Sequence, residues 1–141
     1  MSKKGMKILV PLDGSKNSFS GLDKAISLAK QSESFITGIF VIPNLPSELD
    51  AFRAIVNRSI HKQYDNFTKK AKEKCSKNGV DFIDIIEFGE EGSRIVSYAK
   101  KNNFDLIVMG SRGLGSVSEF FLGSTSKYVL HKSKIPVMIV K

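Results

Sequence analysis

A glycine-rich segment between residues 110 and 123 is the part of this sequence whose residue types and spacing are best suited to chemistry. It follows the apolar run Leu106–Met109 and holds four glycines in fourteen residues. Connections between a strand and a helix usually have about 2–6 residues, so a connection of this length predicts a function. Glycines such as Gly110 and Gly113 let backbone N–H groups approach an anion where a Cβ atom would intrude. The segment therefore predicts a phosphate site.

Hydroxyl side chains follow the last of these glycines. Gly123 leads into Ser124, Thr125 and Ser126, where the apolar periodicity predicts that a helix begins. A helix N-terminus offers free N–H groups and the positive end of the helix dipole, and the hydroxyls can donate to a phosphate. The glycine segment and the helix start are thus predicted to clamp a polyphosphate. Ser124 is also typical of an N-cap, a role compatible with phosphate binding.

Several well-known motifs are not found in this sequence. There is no G-x-x-x-x-G-K-[ST] of a P-loop, and no G-x-G-x-x-G of a dinucleotide site follows the first apolar run. A response regulator needs clustered acids after its first strand, where Asp13 stands alone. Cys75 falls on an apolar helical stripe, and His61 and His131 have no Cys or His partner at metal-ligand spacing. We interpret these last three residues as structural or exposed.

The hydrophobic pattern places the candidate residues on alternating strands and helices. Continuous apolar or β-branched runs predict five strands, at Ile8–Leu12, Phe35–Ile42, Phe82–Phe88, Leu106–Met109 and Val137–Val140. Apolar residues at helical spacing predict four helices, at Ser15–Ser32, Phe52–Cys75, Glu91–Lys101 and Ser124–Lys132. Because no two strands are joined as a hairpin, we predict an α/β fold with an open, doubly wound parallel sheet of flavodoxin-like or Rossmann-like type. Ligands of such sheets bind beyond the C-terminal ends of the strands.

Length and composition indicate a protein with one folded domain and no membrane-spanning segment. The 141 residues are 41% hydrophobic, which predicts one folded domain over residues 1–141 and argues against disorder. No apolar run approaches the ~18 residues of a membrane span. No export segment follows Met1, and a single cysteine cannot form an internal disulfide, so we expect a cytoplasmic protein.

Most of the net charge of +8 lies between Arg53 and Val80, on the long predicted helix. Eight basic residues stand there against Asp65 and Glu73. A solvated helix face is the simpler interpretation, because an amphipathic helix must expose its charges. Contact with RNA, DNA or an acidic protein is the alternative, although neither aromatic interleaving nor a known nucleic-acid motif accompanies the charge.

Taken together, these residues resemble the universal stress protein family. The nucleotide-binding members of that family carry the motif G-x2-G-x9-G-[ST]. In this sequence the motif positions are Gly110, Gly113, Gly123 and Ser124. Flanking blocks that begin at Val10, Val108 and Pro136 are similar to the family in the same order, so the resemblance covers essentially the whole chain. It implies an adenine nucleotide α-hydrolase-like domain with strand order 3-2-1-4-5 and, because every motif position is kept, the ATP-binding subgroup.

The resemblance also implies a role for each matching residue. Asp13 would meet the ribose or a metal-bridged phosphate, and Pro11 and the backbone of Val41 would border the adenine. The phosphates would be held by Gly110, Gly113, Gly123, Ser124 and Thr125. The predicted site further includes Met109 and Arg112, of which Arg112 is not at a fixed motif position. A divalent ion, Mg²⁺, is expected with the ATP, with Asp13 as its ligand; the alternative for Asp13 is a cap of the first helix or its turn.

The residues of the two outer strands predict the oligomeric state. Asp81, Asp84 and Glu87 on or beside the third strand suit an exposed edge that is protected from mispairing. The fifth strand, Val137–Val140, is wholly apolar and needs a cover if it is also an edge, as the family's strand order implies. We therefore expect a homodimer that pairs through this strand.

These observations favour an ATP-binding regulatory protein of the universal stress class that acts as a nucleotide-dependent switch. Any ATPase activity should be slow, because there is no lysine of the P-loop type and no evident general base. One alternative is a non-enzymatic interaction module whose basic helix docks an acidic protein or RNA. Another is a true hydrolase or nucleotide transferase, which would need rapid turnover.

Overall fold

The structure is a computed structural model that describes residues 5–44, 50–111 and 122–141, with only the backbone of residues 50–54 and 56. Strands and helices alternate along the chain. The strands are β1 (Lys7–Pro11), β2 (Phe35–Ile42), β3 (Phe82–Phe88), β4 (Leu106–Gly110) and β5 (Val137–Val140). The helices are α1 (Lys16–Ser32), α2 (Asp50–Lys77), α3 (Glu91–Lys101) and α4 (Ser124–Lys132).

The five strands form one parallel sheet in the order β3-β2-β1-β4-β5. The predicted α/β fold and strand order are confirmed. The winding reverses between β1 and β4, which are neighbours in the sheet although a long stretch of sequence separates them. This reversal leaves a crevice at the C-terminal ends of β1 and β4, where ligands of open α/β sheets bind.

Two apolar layers explain why β1 and β4 are uninterrupted apolar runs. On one face Ile8 and Val10 pack with α1 and with Ala71 and Cys75 of α2. On the other face Leu9 packs with residues of α3 and α4, including Ile95. Since helices cover both faces of the sheet, successive side chains of a central strand are buried on opposite sides, and alternation with polar residues is lost.

Both outer strands are edges, as predicted. β3 has another strand only on its β2 side, and β5 has one only on its β4 side. The side chains of β5 are all half-buried, whereas Ile83 and Phe88 of β3 are exposed. None of the helices that the structure describes is both long enough and apolar enough to span a bilayer.

A close approach of α1 to β4 fixes the geometry of the crevice. A Cβ atom on Gly110 would lie 2.4 Å from the backbone oxygen of Asn17, and one on Gly21 would lie 3.1 Å from the backbone nitrogen of Gly110. Two glycines therefore let the first turns of α1 lie directly on the end of β4. This contact brings the β1–α1 turn against the end of β4.

Candidate functional site

The turn between β1 and α1 places Asp13 at the rim of the crevice, the rim being the C-terminal edge of the sheet. Gly14 has a φ of +85°, a left-handed conformation that favours glycine. The backbone N–H of Ser15 donates to Oδ1 of Asp13 at 2.9 Å, and the backbone N–H of Ser18 donates to Oγ of Ser15 at 3.1 Å. Ser15 is thus the N-cap of α1, and the half-buried Asp13 carboxylate shapes the turn before it.

Hydrogen bonds join the two ends of the connection between β4 and α4. The backbone N–H of Gly123 donates to the carbonyl oxygen of Ser111 at 2.7 Å. The buried Ser126 hydroxyl donates to the carbonyl oxygens of Gly110 and Ser111, at 2.9 and 3.0 Å. These bonds hold the start of α4 against the end of β4.

The N-cap of α4 is Gly123, so Ser124 is the first residue of the helix and not its cap. Glycine contributes no capping side chain, and the first N–H groups of a helix have no partner within the helix itself. Ser124 is exposed at this terminus and Thr125 is half-buried. The positive end of the α4 dipole is therefore directed at the rim.

The first turns of α3 and α4 meet at the same rim. Oγ1 of Thr125 donates to Oε1 of Glu91 at 2.7 Å. The ring of Tyr128 packs over Gly92, where a Cβ atom would lie only 2.7 Å from Cδ1 of that ring. Burial raises the pKa of Glu91, the hydrogen bond from Thr125 lowers it, and the negative charge of Asp13 raises it further; the net shift is upward.

Most of the predicted site residues lie at the rim. Pro11 and Gly110 are the last residues of β1 and β4, and Met109 is buried beside them. Val41 lies near the end of β2, two residues beyond Ile39, which pairs with Pro11. Asp13, Gly123, Ser124 and Thr125 complete the described set. Arg112 and Gly113 lie outside the described residues.

The structure gives Gly110 a role that the sequence did not indicate. The space that its missing Cβ leaves is occupied by Asn17 of α1. The glycine is therefore required by packing within the protein, whatever its part in binding an anion. The Ser126 hydroxyl, expected from the sequence to donate to a phosphate, donates inward to backbone carbonyls instead.

Glu91 is the rim residue that sequence reasoning missed. Its position at the start of a helix, two residues after Gly89 at the end of β3, was the available signal. Its partner Thr125 is 34 residues away in the sequence, so the contact depends on how α3 and α4 pack. The hydroxyl of Thr125, predicted to face a phosphate, donates its proton to Glu91 in this structure.

The number of carboxylates at the rim determines whether the protein alone could bind a metal ion there. Within residues 5–44, 50–111 and 122–141, no group of three His, Cys, Asp or Glu side chains could hold a metal ion. Mg²⁺ in nucleotide sites is usually bound by one or two carboxylates together with phosphate oxygens and waters. The single carboxylate of Asp13 fits that pattern only when a nucleotide supplies the other oxygens.

The basic helix α2 has its own contacts. Lys72 lies 3.2 Å from Asp84, Lys74 lies 3.0 Å from Asp23, and the Lys70 ammonium lies 4.7 Å from the ring centroid of Phe19. Basic residues of the face predicted from the sequence are exposed, namely Arg58, Lys62, Lys69 and Lys72. The arrangement agrees with a solvated helix face. Cys75 is fully buried, as predicted, and burial raises its pKa to about 11.

Comparison with known proteins identifies the family. Residues 6–141 match the model of the universal stress protein family. The universal stress protein YxiE of Bacillus subtilis is 33% identical over 151 residues, covering 96% of this chain and 98% of the relative. The chain therefore belongs to the universal stress protein family, and the predicted resemblance is confirmed.

Solved structures share the fold over nearly the whole chain. MJ0577 of Methanocaldococcus jannaschii is 26% identical with a TM-score of 0.85, covering 99% of this chain and 97% of that one. A universal stress protein solved in complex with cAMP is 22% identical with a TM-score of 0.78, covering 99% of each chain. A family member from Arabidopsis thaliana with AMP bound is 20% identical with a TM-score of 0.72, covering 96% of this chain and 91% of that one.

Proposed function

We propose that this universal stress protein binds ATP at the rim formed by β1, β4 and α4, and acts as a nucleotide-dependent regulatory protein in the stress response. The observation that carries the proposal is that Asp13 follows β1 while the glycine-capped start of α4 is held against the end of β4, the strand that pairs with β1. The α4 terminus offers N–H groups and a positive dipole end to phosphates, while a carboxylate can accept from ribose hydroxyls. The phosphates of a nucleotide would thus meet hydrogen-bond donors and a positive dipole end, and its ribose would meet a hydrogen-bond acceptor.

The motif of the family supports the same assignment. Gly110, Gly123 and Ser124 occupy its described positions, and the Gly123–Ser111 hydrogen bond draws the two ends of the connection together. Pro11 and the backbone of Val41 would border the adenine, and the buried Met109 would belong to the same site. Arg112 and Gly113 belong to the proposed site by their place in the sequence alone.

Structures of related fold add support for the class of ligand. The proteins solved with cAMP and with AMP hold adenine nucleotides on this fold. Their identities of 22% and 20% show a shared fold, so an adenine nucleotide as the ligand of this chain is part of our proposal. Our proposal that the ligand is ATP, and not another adenine nucleotide, rests on the residues of this chain and not on those complexes.

In the proposed complex Mg²⁺ accompanies the triphosphate, and Asp13 is the side chain that would hold it. Such an ion neutralises charge on the phosphates. We propose slow hydrolysis at most, because the sequence has no P-loop lysine and the Asp13 carboxylate accepts the backbone N–H of Ser15. The protein would then hold ATP and signal its presence to a partner.

Calorimetry with ATP and Mg²⁺ tests the proposal. The wild-type chain is expected to release or absorb heat of binding, and Asp13→Asn to bind about tenfold more weakly, because the amide keeps the turn but loses the charge. Asp81→Asn is the matched control. Asp81 is exposed and directly precedes β3, so it lies at the N-terminal end of the sheet, away from the rim. No binding by the wild type at about 500 μM ATP would overturn the proposal. Release of adenine nucleotide from purified, denatured protein would support it.

We further propose a homodimer that pairs through Val137–Val140. The support is that β5 is an edge strand with four apolar, half-buried side chains. An unpaired apolar edge is open to pairing with a second copy. Light scattering at micromolar concentration should give twice the mass of 15.6 kDa, and a monomer would contradict the proposal. The single domain over residues 1–141 and the cytoplasmic location stay predictions.

Docking of RNA or an acidic protein on the basic face of α2 stays the alternative hypothesis. Lys72 is already paired with Asp84, which reduces the charge that this face offers to a partner. A salt-sensitive gel shift that is lost when Lys62, Lys69 and Lys72 are replaced would favour the alternative.

A further inference from the structure

Glu91 lies where the proposed nucleotide site would receive phosphates, yet it is an acid. It is the first residue of α3, it is half-buried, and Thr125 of the phosphate-binding motif region donates to it. The packing of Tyr128 over Gly92 holds the first turns of α3 and α4 together. Glu91 therefore has a fixed place at the rim and not the freedom of a surface side chain.

The hydrogen bond between Thr125 and Glu91 changes what the rim can offer a phosphate. A hydroxyl has one proton to donate. Because Thr125 gives that proton to Oε1 of Glu91, it presents only lone pairs to any further acceptor. A phosphate approaching α4 thus meets the helix N–H groups, but it also meets a hydroxyl without a proton and a carboxylate behind it.

Asp13 adds a second negative charge, which comes from the turn after β1. Burial is the main cause that raises the pKa of Glu91, and the negative charge of Asp13 raises it further. The two carboxylates come from the β1–α1 turn and from the start of α3, which both follow the C-terminal ends of strands. Each additional phosphate charge on a ligand is opposed by both of them unless a cation lies between.

We propose that Glu91 is a specificity-determining residue of the nucleotide site, whose carboxylate disfavours nucleotides with several phosphate charges unless a divalent cation is bound with them. The inference rests on the proposed function and names a regulation of that same site. Mg²⁺·ATP would bind well, metal-free ATP poorly, and AMP would depend least on the cation. The protein would then respond to the metal-bound form of the nucleotide.

The test compares Glu91→Gln with the wild type by calorimetry, using ATP with EDTA, ATP with Mg²⁺, and AMP. Glutamine keeps an oxygen that accepts from Thr125 but removes the charge. Metal-free ATP should bind the variant about five- to tenfold more tightly, the size expected for one partly screened charge near a phosphate. The affinities for Mg²⁺·ATP and for AMP should change less than about twofold, because the cation or the lower ligand charge reduces the repulsion.

Glu90→Gln is the matched control. Glu90 is the residue before Glu91 and is exposed, so the substitution makes the same change in net charge one position away. It should leave all three affinities within about twofold of the wild type, because exposed charges are screened. Thr125→Val separates charge from hydrogen bonding, since it removes the hydroxyl and leaves the carboxylate; its preference for Mg²⁺·ATP over metal-free ATP should persist.

The outcomes distinguish this inference from the function on which it rests. Binding of AMP and ATP by the wild type, with an unchanged ratio of metal-free ATP to AMP affinity in Glu91→Gln, overturns the inference and leaves the proposed function standing. An equal gain in Glu90→Gln and Glu91→Gln also overturns it, because the effect would then be general surface charge. If the wild type binds no nucleotide, the proposed function fails and this inference fails with it. A melting curve for each variant shows whether it is folded.

Discussion

Two hydroxyl–carboxylate pairs, one at the rim and one at the β3 edge, look alike and behave differently. At the rim Thr125 donates to Glu91, and at the edge Tyr64 of α2 donates to Asp84 of β3. Each pair joins a helix to a neighbouring element. The edge pair has a third member, because the ammonium of Lys72 lies 3.2 Å from Asp84.

The charges around each carboxylate account for the difference. Burial raises the pKa of Asp84, but the hydrogen bonds from Tyr64 and Lys72 and the charge of Lys72 lower it, and the net shift is downward. Burial is the largest influence on the pKa of Glu91 and raises it; the hydrogen bond from Thr125 lowers it, the negative charge of Asp13 raises it, and the net shift is upward. At Tyr64, burial and the bond to Asp84 raise the pKa to about 12, so its hydroxyl stays a donor.

The cation of Lys72 favours the charged form of Asp84, whereas burial disfavours the charged form of Glu91. The edge pair ties the long helix to an edge strand, beside stacked Phe40 and Tyr64 rings whose centroids are 5.1 Å apart. At the rim, burial disfavours the charged form of Glu91 in the folded chain, and a bound cation or a further hydrogen-bond donor would favour that form. We therefore expect Asp84 to be a structural acid and, in line with our proposal, Glu91 to be an acid of the ligand site.

The largest expected effect comes from the packing that shapes the rim. Gly110→Ala would place a Cβ atom 2.4 Å from the backbone oxygen of Asn17, and that oxygen cannot rotate away. We expect a loss of about 3 kcal/mol in the free energy of unfolding, at the upper end for overpacking. Urea denaturation monitored by circular dichroism measures it.

Gly79→Ala is the matched control at the α2–β3 turn. A Cβ atom there meets nothing within 4 Å, but the φ of +68° is left-handed. The expected loss is about 1 kcal/mol, from backbone strain alone. If both variants lose the same amount, the close approach of α1 to β4 does not govern stability.

At the β3 edge, Asp84→Asn tests whether the pair there is structural. The asparagine loses the charge that holds Lys72, so we expect a loss of about 1 kcal/mol at neutral pH, a value reduced for the exposure of Lys72. Because the folded pKa of Asp84 is lowered from 3.8, its contribution is present above that value and is lost as the pH falls through the folded pKa. Urea midpoints of the variant and the wild type should converge in acid; a constant gap would contradict the charge explanation.

The fold could be predicted because each strand and helix leaves a local pattern, but the site depends on contacts between distant residues. The predicted first strand, Ile8–Leu12, is shifted by one residue from the observed Lys7–Pro11, because Lys7 pairs with Phe35 through backbone that side-chain patterns do not reveal. The predicted β3 bounds match. Gly110 was interpreted as anion-binding because no sequence pattern shows that Asn17 fills the space beside it.

The smallest expected effect has the opposite sign and concerns the rim. Glu91→Gln should raise the free energy of unfolding by about 0.5 kcal/mol at neutral pH, without nucleotide and with EDTA present. Because the folded pKa of Glu91 is raised above 4.5, the stability that this carboxyl contributes is fully present below pH 4.5 and is lost as the pH rises through the folded pKa. Glutamine removes that loss and still accepts from Thr125.

The favourable interaction of an acid with the α3 dipole works against this gain, which is why the expected change is small. Glu90→Gln, exposed at the N-cap of α3, controls for the dipole, because it removes a charge from the same helix end without removing a half-buried one. A rise in Glu91→Gln that exceeds any change in Glu90→Gln, beside a fall in Asp84→Asn, would establish that the two acids play opposite parts. A fall in both Glu91→Gln and Asp84→Asn would mean that the rim acid is structural too, and that its place beside the proposed phosphates has no bearing on the ligand.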